Sequence, residues 1–220
     1  MARKKVVIFG TKDLAALAKF YFERDSDYET VAFTADRTYC EGDSFQDLPL
    51  VAFEEVEKKF DPKTHLIFVP MTQAKMGFPR KEKYLQAKAK GYSFATYISS
   101  KATYYGTPVG ENTFIFEDNT IQPFVEIGNN IVLWSGNHIG HSTKIADHVF
   151  LTSHVVISGH CVIEPHCFFG VNSTVRDYMH IAEGSLIAMN AVISKNTIPY
   201  GVYFGPRSEA KEGVRSTDIM

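Results

Sequence analysis

Cysteine, long apolar runs and an excess of charge of one sign are all scarce in this sequence of 220 residues. The three cysteines (Cys40, Cys161 and Cys167) are too few for a disulfide framework, and their odd number fits a reducing compartment. No apolar run approaches the roughly 18 residues that a membrane span requires, and Val6–Phe9 is too short for the core of a signal peptide. A formal net charge of −2 implies no broad positive surface for nucleic acid. We therefore expect a soluble, cytoplasmic protein with no membrane span and no nucleic-acid partner.

The first 105 residues alternate short apolar runs with stretches of helical spacing. Hydrophobic residues make up 45% and charged residues 22% of the chain, ordinary values for a globular protein of one large or two small domains. Such alternation favours a small parallel sheet covered by helices. Strands are predicted at 5–9, 30–34, 65–69 and 93–98, and helices at 14–22, 53–60 and 79–90.

From residue 109 onward, an apolar residue recurs at every sixth position. Fifteen consecutive positions, from Val109 to Ile193, are aliphatic or phenylalanine with no insertion. Neither the period of a helix nor the alternation of a strand produces a six. A three-sided coil does, with three short strands and three tight turns per coil and the recurring residue pointing inward. We therefore predict a left-handed parallel β-helix of about five coils over residues 106–198, followed by a tail at 199–220.

The histidines divide by their position in this repeat. Four of the eight lie three residues after an inward-pointing position, a slot that is commonly a turn, so we expect them to be solvated: His148, His154, His160 and His166. Of these, His148 and His166 are eighteen residues apart and are predicted to stack one coil above the other. His138 and His141 lie at other positions of the repeat.

The chain resembles the PglD/NeuD-type sugar acetyltransferases, which belong to the hexapeptide-repeat acyltransferase superfamily. The resemblance implies a Rossmann-like α/β domain at residues 1–105 that holds a nucleotide-linked amino sugar, and a β-helix acetyltransferase domain at 106–198. It also implies acetyl-CoA as the acyl donor, no metal, a homotrimer and a place in bacterial surface-glycan biosynthesis. The residues that carry it are Val6–Gly10 with Asp36, Ile139–His141, Gly159, Gly170–Ser173 and Val202–Arg207.

By this resemblance, His141 is the general base that takes a proton from the attacking amine. A neutral histidine suits that role at cytoplasmic pH. The group commonly has Asp or Glu directly after this histidine, whereas this chain has Ser142. A hydroxyl can orient an imidazole but cannot raise its basicity as a carboxylate does. Another acid, for which Asp147 and Glu126 are candidates, takes that role or the base is weaker, and His138 is a further candidate participant.

The resemblance also assigns residues to the cofactor. Gly159 is expected to present its backbone N–H to the thioester oxygen, because a residue without a Cβ allows close approach. Val171 and Met189 are expected to line the cofactor groove, and Arg207 to reach a phosphate. Phe150 stands where related enzymes offer a histidine to the cofactor, so it can pack there but cannot donate a hydrogen bond.

The N-terminal part carries the candidate nucleotide site. Only Gly10 follows the first predicted strand in place of G-x-G-x-x-G, which argues against NAD(P). Thr11, Lys12 and Asp13 stand near a helix N-terminus, where backbone N–H groups and the ammonium can hold a diphosphate. Asp36, at the end of the second predicted strand, can accept hydrogen bonds from a ribose or a base edge. We interpret Met71–Arg80 as a mobile substrate loop.

The sequence therefore predicts an acetyl-CoA-dependent N-acetyltransferase of a nucleotide-linked amino sugar. O-acetylation of a sialic acid or another sugar hydroxyl is the alternative within the same class. An amine acceptor needs less base strength than an alcohol, which favours N-transfer for a histidine followed by serine. Two further alternatives are a γ-carbonic-anhydrase-type metalloenzyme, which needs three converging histidines on zinc, and a scaffold without catalysis.

Overall fold

The computed structural model describes residues 3–210 and 212–218. It begins with a five-stranded sheet in the order β3-β4-β2-β1-β5, parallel except for the β3–β4 hairpin. The strands are β1 (Lys4–Phe9), β2 (Tyr28–Ala35), β3 (Ser44–Phe45), β4 (Leu48–Ala52) and β5 (Leu66–Phe68). The α-helices are α1 (Asp13–Asp25), α2 (Val56–Lys59) and α3 (Phe78–Ala89), and 3-10 turns lie at Arg37–Tyr39, Phe53–Glu55, Ala74–Gly77 and Ser216–Asp218. Among the described residues, no helix combines the length and apolarity needed to cross a membrane.

The N-terminal sheet agrees with the predicted strands except at two places. The predicted strand at 93–98 is confirmed only in part, because residues 93–95 pair with Ile67 of β5, whereas Tyr97–Ile98 form a strand of the β-helix instead. The β3–β4 hairpin was not predicted, since its turn residues Gln46 and Asp47 are left-handed without the Asn-Gly or Asp-Gly signature of such turns.

The rest of the chain forms a three-sided parallel β-helix of two-residue strands. Consecutive strands within a face pair at a spacing of eighteen residues over most of its length. The first face comprises β6 (Tyr97–Ile98), β8 (Phe114–Ile115), β11 (Val132–Leu133), β14 (Phe150–Leu151), β17 (Phe168–Phe169), β20 (Leu186–Ile187) and β22 (Val202–Tyr203). The second comprises β7 (Thr103–Tyr104), β9 (Thr120–Ile121), β12 (His138–Ile139), β15 (Val156–Ile157), β18 (Thr174–Val175) and β21 (Val192–Ile193). The third comprises β10 (Glu126–Ile127), β13 (Lys144–Ile145), β16 (Val162–Ile163) and β19 (His180–Ile181).

The predicted period of six is confirmed by the core of the β-helix. From Ile115 to Ile193, every sixth residue is buried and points into the core, and Val109 packs against it. The slot three residues later has a left-handed backbone in every hexad from Asn112 to Asn190. The strands β6 and β7 precede residue 106 and β22 follows residue 198, so the sheets extend past both predicted boundaries.

The N-terminal part covers the first face of the β-helix. Phe114, Val132 and Phe150 point outward from this face and are buried in one core with Phe22 and Phe68 of the N-terminal sheet and its helix. On the third face the residues at the same strand position are exposed, and three of the four are charged or polar: Glu126, Lys144 and His180, with Val162 as the fourth. This packing leaves the corner between the second and third faces open to solvent.

Candidate active site

The corner between the second and third faces, here the His141 corner, brings His141 against Gly159 of the next coil. Gly140 lets the two coils approach, because a Cβ there would lie 2.5 Å from the Gly159 nitrogen. A Cβ at Gly159 would in turn lie 2.9 Å from His141 Nε2. The exposed imidazole therefore lies directly over the Cα of Gly159, and the two residues assigned to catalysis are adjacent.

The backbone amide of Gly159 is a free donor within the described residues. The amide of His141, one coil earlier, donates to Gln122 Oε1 at 2.9 Å, and that of Glu183 donates to Glu164 Oε2 at 2.7 Å. The neighbouring amides of Ser158 and His160 also have backbone acceptors. The Gly159 amide has none in the part of the chain described here, so it can donate to an oxygen of a bound molecule.

Two further rings follow His141 along this corner, and the nearer of them contacts it. His160, in the left-handed turn slot, has its ring centroid 4.8 Å from that of His141, with the ring planes at 89°. Tyr178 stacks on His160 at 4.7 Å with an interplanar angle of 5°. Within the described residues, no hydrogen bond joins the His141 ring to another group. Ring packing is therefore the contact that the chain itself offers to this imidazole.

Ser142 does not hold the His141 ring as the sequence suggested. It occupies the turn slot with φ 61°, and its amide donates to the Pro123 carbonyl at 3.2 Å. No hydrogen bond runs from its hydroxyl to the imidazole among the described residues. His138 lies on the second face, between Thr120 and Val156 on the neighbouring strands, and no ring contact or hydrogen bond between it and His141 occurs in the described chain.

Neither candidate acid supports His141 within the chain. Asp147 lies on the next corner, where its Oδ1 accepts from the Asn129 amide at 2.7 Å. Glu126 projects from the third face and pairs with Lys144 at 3.0 Å. Within one copy, neither carboxylate therefore supports His141 from a neighbouring coil, and support from a neighbouring subunit stays a prediction.

The residues assigned to the cofactor do not meet in one pocket of a single chain. Val171 and Met189 stack on the corner between the first and second faces and are 38% and 64% exposed. Arg207 is exposed, with its guanidinium 5.7 Å from the ring centroid of Phe204. Phe150 is only 6% exposed and lies in the core under the N-terminal part. The structure therefore corrects its assignment to the cofactor, because a side chain buried on the first face has no surface toward His141.

The candidate nucleotide residues lie at the carboxyl edge of the N-terminal sheet. Gly10 follows β1 with φ 112°, a backbone conformation that favours glycine, and its amide donates to the Thr34 carbonyl of β2 at 2.7 Å. Thr11 and Lys12 then lead into α1, which begins at Asp13, and among the described residues its first two N–H groups, those of Asp13 and Leu14, have no acceptor. The amides of Asp13 and Leu14 and the exposed Lys12 side chain can bind an anion at this edge.

Asp36 has a partner that sequence reasoning missed. Lys83 of α3 reaches across the edge of the sheet, and its Nζ lies 2.5 Å from Asp36 Oδ1. The same ammonium lies 5.1 Å from the ring centroid of Phe9 and 4.5 Å from that of Phe53. The carboxylate of Asp36 is thus held in place, and it remains about one third exposed to a ligand.

The predicted substrate loop Met71–Arg80 is fastened to the β-helix rather than free. The Met76 carbonyl lies 3.0 Å from His166 Nδ1, and Phe78 stacks on the His166 ring at 4.2 Å. Arg80 is buried, donates to the carbonyls of Asn130 and His148 and also bonds Gln73. Burial lowers the pKa of Arg80 to about 9, which still leaves it charged at neutral pH.

Two of the four histidines in the turn slot are buried, which contradicts the expectation that all four are solvated. His154 and His160 are exposed, whereas His148 and His166 are buried on the corner that the N-terminal part covers. Their predicted stacking is confirmed, with ring centroids 5.0 Å apart. Burial lowers the pKa of His148 to about 4 and also lowers the pKa of His166. The described residues contain no group of three or more His, Cys, Asp or Glu side chains able to hold a metal ion.

Comparison with known proteins identifies solved structures of similar fold. No protein-family model matches the chain. The acetyltransferase domain of PglB from Neisseria gonorrhoeae, also solved with acetyl coenzyme A, is 17% identical and superposes with a TM-score of 0.80 over 91% of this chain and 96% of that one. PerB from Caulobacter crescentus, solved with CoA and GDP-perosamine, is 17% identical with a TM-score of 0.75 over 87% and 89% of the two chains.

Sequence similarity reaches one curated acyltransferase. The acyl-[acyl-carrier-protein]–UDP-N-acetylglucosamine O-acyltransferase of Paracoccus denitrificans is 29% identical over 106 residues, which cover 45% of this chain and 41% of that protein. The match therefore spans less than half of that relative. The predicted resemblance to hexapeptide-repeat sugar acetyltransferases is confirmed, and the chain has the left-handed β-helix fold of these proteins.

Proposed function

We propose that the chain is an acetyl-CoA-dependent N-acetyltransferase of a nucleotide-linked amino sugar in bacterial glycan biosynthesis, with His141 as the general base. The observation that carries the proposal is the His141 ring lying over Gly159, whose amide is unpaired among the described residues. Proteins of the same fold supply the substrate class, since PglB was solved with acetyl coenzyme A and PerB with CoA and GDP-perosamine.

The His141 ring and the Gly159 amide each have one role in this reaction. The sugar amine attacks the thioester carbonyl, a C–N bond forms and the C–S bond breaks, and the departing thiolate receives from the base the proton that the amine has lost. His141 takes the proton that the amine loses, and the Gly159 amide donates to the carbonyl oxygen while it carries negative charge. A thioester is already activated, so acceptor deprotonation and charge stabilisation are the help that it requires.

The N-terminal part holds the nucleotide in this proposal. Its parallel strand order and its glycine turn at Gly10 support a Rossmann-like nucleotide-binding domain, whose ligands bind beyond the carboxyl ends of the strands. Thr11, Lys12 and Asp13 lie beside the diphosphate, and Asp36 accepts hydrogen bonds from the ribose or the base. The lysine that pairs with Asp36, Lys83, keeps that carboxylate in one orientation.

The proposal includes a homotrimer with a cofactor groove between copies. On one chain, His141 and Gly159 occupy one corner of the prism, whereas Val171 and Met189 occupy another. A groove formed by a corner of one copy and the neighbouring corner of a second copy brings the two sets together. A cytoplasmic location completes the proposal, supported by the three unpaired cysteines.

O-acylation of a sugar hydroxyl is the second candidate. It is favoured by the similarity to the Paracoccus protein, whose name describes an O-acyltransferase. The two candidates differ in the bond formed, since an amide survives hydroxylamine or mild base and an ester does not.

The test measures thiol release from acetyl-CoA with a panel of UDP-, dTDP- and GDP-linked amino sugars and their hydroxyl counterparts. We expect turnover with an amino sugar and a product whose mass increase survives hydroxylamine. Turnover only with hydroxyl acceptors, giving a hydroxylamine-labile product, contradicts N-transfer. Acetyl-CoA that is neither bound nor consumed contradicts both candidates.

A further inference from the structure

Three rings, here called the ring ladder, follow one another along the His141 corner: His141, His160 and Tyr178. The edge-to-face contact between His141 and His160 continues into the parallel stack of His160 on Tyr178. The rings come from three consecutive coils, and both His160 and Tyr178 are exposed to solvent rather than part of the core.

The backbone holds these rings in register. The His160 amide donates to the His141 carbonyl at 2.9 Å, and the Tyr178 amide donates to the Gly159 carbonyl at 3.0 Å. His160 and Tyr178 have left-handed turns with φ 58° and 59°, as does the same slot throughout the β-helix. The backbone of each coil therefore fixes the Cα position of each ring-bearing residue, so the ring ladder follows from the fold.

The His141 ring needs such support because no hydrogen bond from the described residues orients it. Ser142 stands where the resembled group commonly has a carboxylate, and the structure shows no hydrogen bond from it to the ring. An exposed imidazole without a partner samples several rotamers, only some of which face a substrate. Edge-to-face and stacked aromatic contacts favour one orientation over the others.

We propose that His160, backed by Tyr178, is the positioning residue for His141, holding its ring by packing rather than by proton exchange. The inference rests on the proposed function of His141 as general base. It predicts that the ring of residue 160 matters and that its nitrogens do not.

Residues that occupy the same turn slot elsewhere in the β-helix show which substitutions of His160 preserve its left-handed turn. The same left-handed slot holds Phe124 with φ 66° and Asn172 with φ 59°, so both residue types are compatible with this backbone. His160→Phe therefore keeps a ring without nitrogens, and His160→Asn keeps the turn without a ring. His160→Phe is therefore the matched control for His160→Asn, because both keep the turn and only one keeps a ring.

The kinetic test measures kcat, the KM for acetyl-CoA and the pH profile of kcat/KM for these variants beside His141→Ala. We expect His160→Asn to lower kcat by about 3- to 10-fold with little change in KM, and His160→Phe to match the wild type. The acidic limb of the pH profile keeps its midpoint in His160→Phe. A wild-type kcat in His160→Asn, or a loss in His160→Phe with a shifted midpoint, overturns the inference.

A second readout does not depend on turnover. In a crystal structure or in the NMR signals of the His141 ring, the His160→Asn variant is expected to show more than one ring orientation, and His160→Phe only one. A single unchanged orientation in His160→Asn refutes the positioning role. If His141→Ala turns over like the wild type, the base assignment fails instead, and the ring-order measurement still decides whether His160 positions His141.

Discussion

Adding one methyl group at Gly159 is expected to impair catalysis while leaving the fold intact. The new Cβ would lie 2.9 Å from His141 Nε2, so the ring must move by about half an ångström or more to reach ordinary contact at 3.4 Å. Because the ring is an exposed, flexible side chain, it can move away, and we expect the free energy of unfolding to change by less than about 1 kcal/mol. A displacement of this size costs about 10- to 100-fold in kcat.

Gly140→Ala is the matched opposite of Gly159→Ala. Its Cβ would meet the Gly159 nitrogen and the Ser158 carbonyl carbon at 2.5 Å, and neither backbone atom can move without separating two coils. We expect a loss of about 1–3 kcal/mol in the free energy of unfolding, which for 2 kcal/mol is a fall in Tm of about 4–8 °C.

The pair is assayed by thermal unfolding and by thiol release from acetyl-CoA with the accepted sugar. Gly159→Ala keeps its backbone amide, so its loss of activity reports the added methyl group, which displaces the imidazole and narrows the approach of the thioester, and not the loss of a hydrogen-bond donor. The reasoning is refuted if Gly159→Ala retains wild-type kcat, or if it destabilises the protein as much as Gly140→Ala.

Further predictions concern the junction of the two parts and the nucleotide edge. Arg80→Met leaves the carbonyls that Arg80 binds without their buried donor, so urea denaturation is expected to show a loss of about 2–4 kcal/mol. Lys144→Met, on the exposed third face, is expected to stay within about 1 kcal/mol, and equal losses contradict the assignment. The pKa of His148 is lowered to about 4 in the folded chain, so the unfolded chain binds more protons between that value and about 6.5, and stability is lost as the pH falls through this window. His148→Asn is expected to remove up to about 3 kcal/mol of that loss, and an unchanged pH slope of stability argues against the buried histidine as its source. Asp36→Asn is expected to raise the KM for the nucleotide sugar about tenfold or more without changing the KM for acetyl-CoA, whereas equal rises in both argue against a nucleotide site.

The β-helix core could be predicted residue by residue because a period of six has few structural sources. The inward positions and the left-handed slot follow from the coil itself, so Ile139 and His160 were placed correctly in the repeat without knowledge of the rest of the molecule. Local periodicity is sufficient wherever burial is decided within one coil.

Burial decided by the packing of the N-terminal part was not predicted. His148 and Phe150 were assigned to the surface because the repeat does not say which face the N-terminal part covers. The sequence does distinguish the faces when outward positions are compared at a spacing of eighteen residues. Outward positions of the first face are apolar, as at Phe114 and Val132, whereas two of the four on the third face are charged, at Glu126 and Lys144.

The candidate site was predicted in part for the same reason. The adjacency of His141 and Gly159 follows from their spacing of one coil. The pairing of Asp36 with Lys83 does not follow from local pattern, because the lysine belongs to a helix 47 residues further along the chain. Contacts between distant elements depend on how the sheet and its helices pack.

The most direct test of the account is the kcat of His141→Ala relative to the wild type, measured by thiol release with a nucleotide-linked amino sugar that the wild type accepts. Loss of a general base costs about 10²- to 10⁴-fold, and we predict a loss in that range with acetyl-CoA still bound and the fold unchanged. A variant that binds acetyl-CoA and turns over at the wild-type rate would contradict the assignment of His141 as the base.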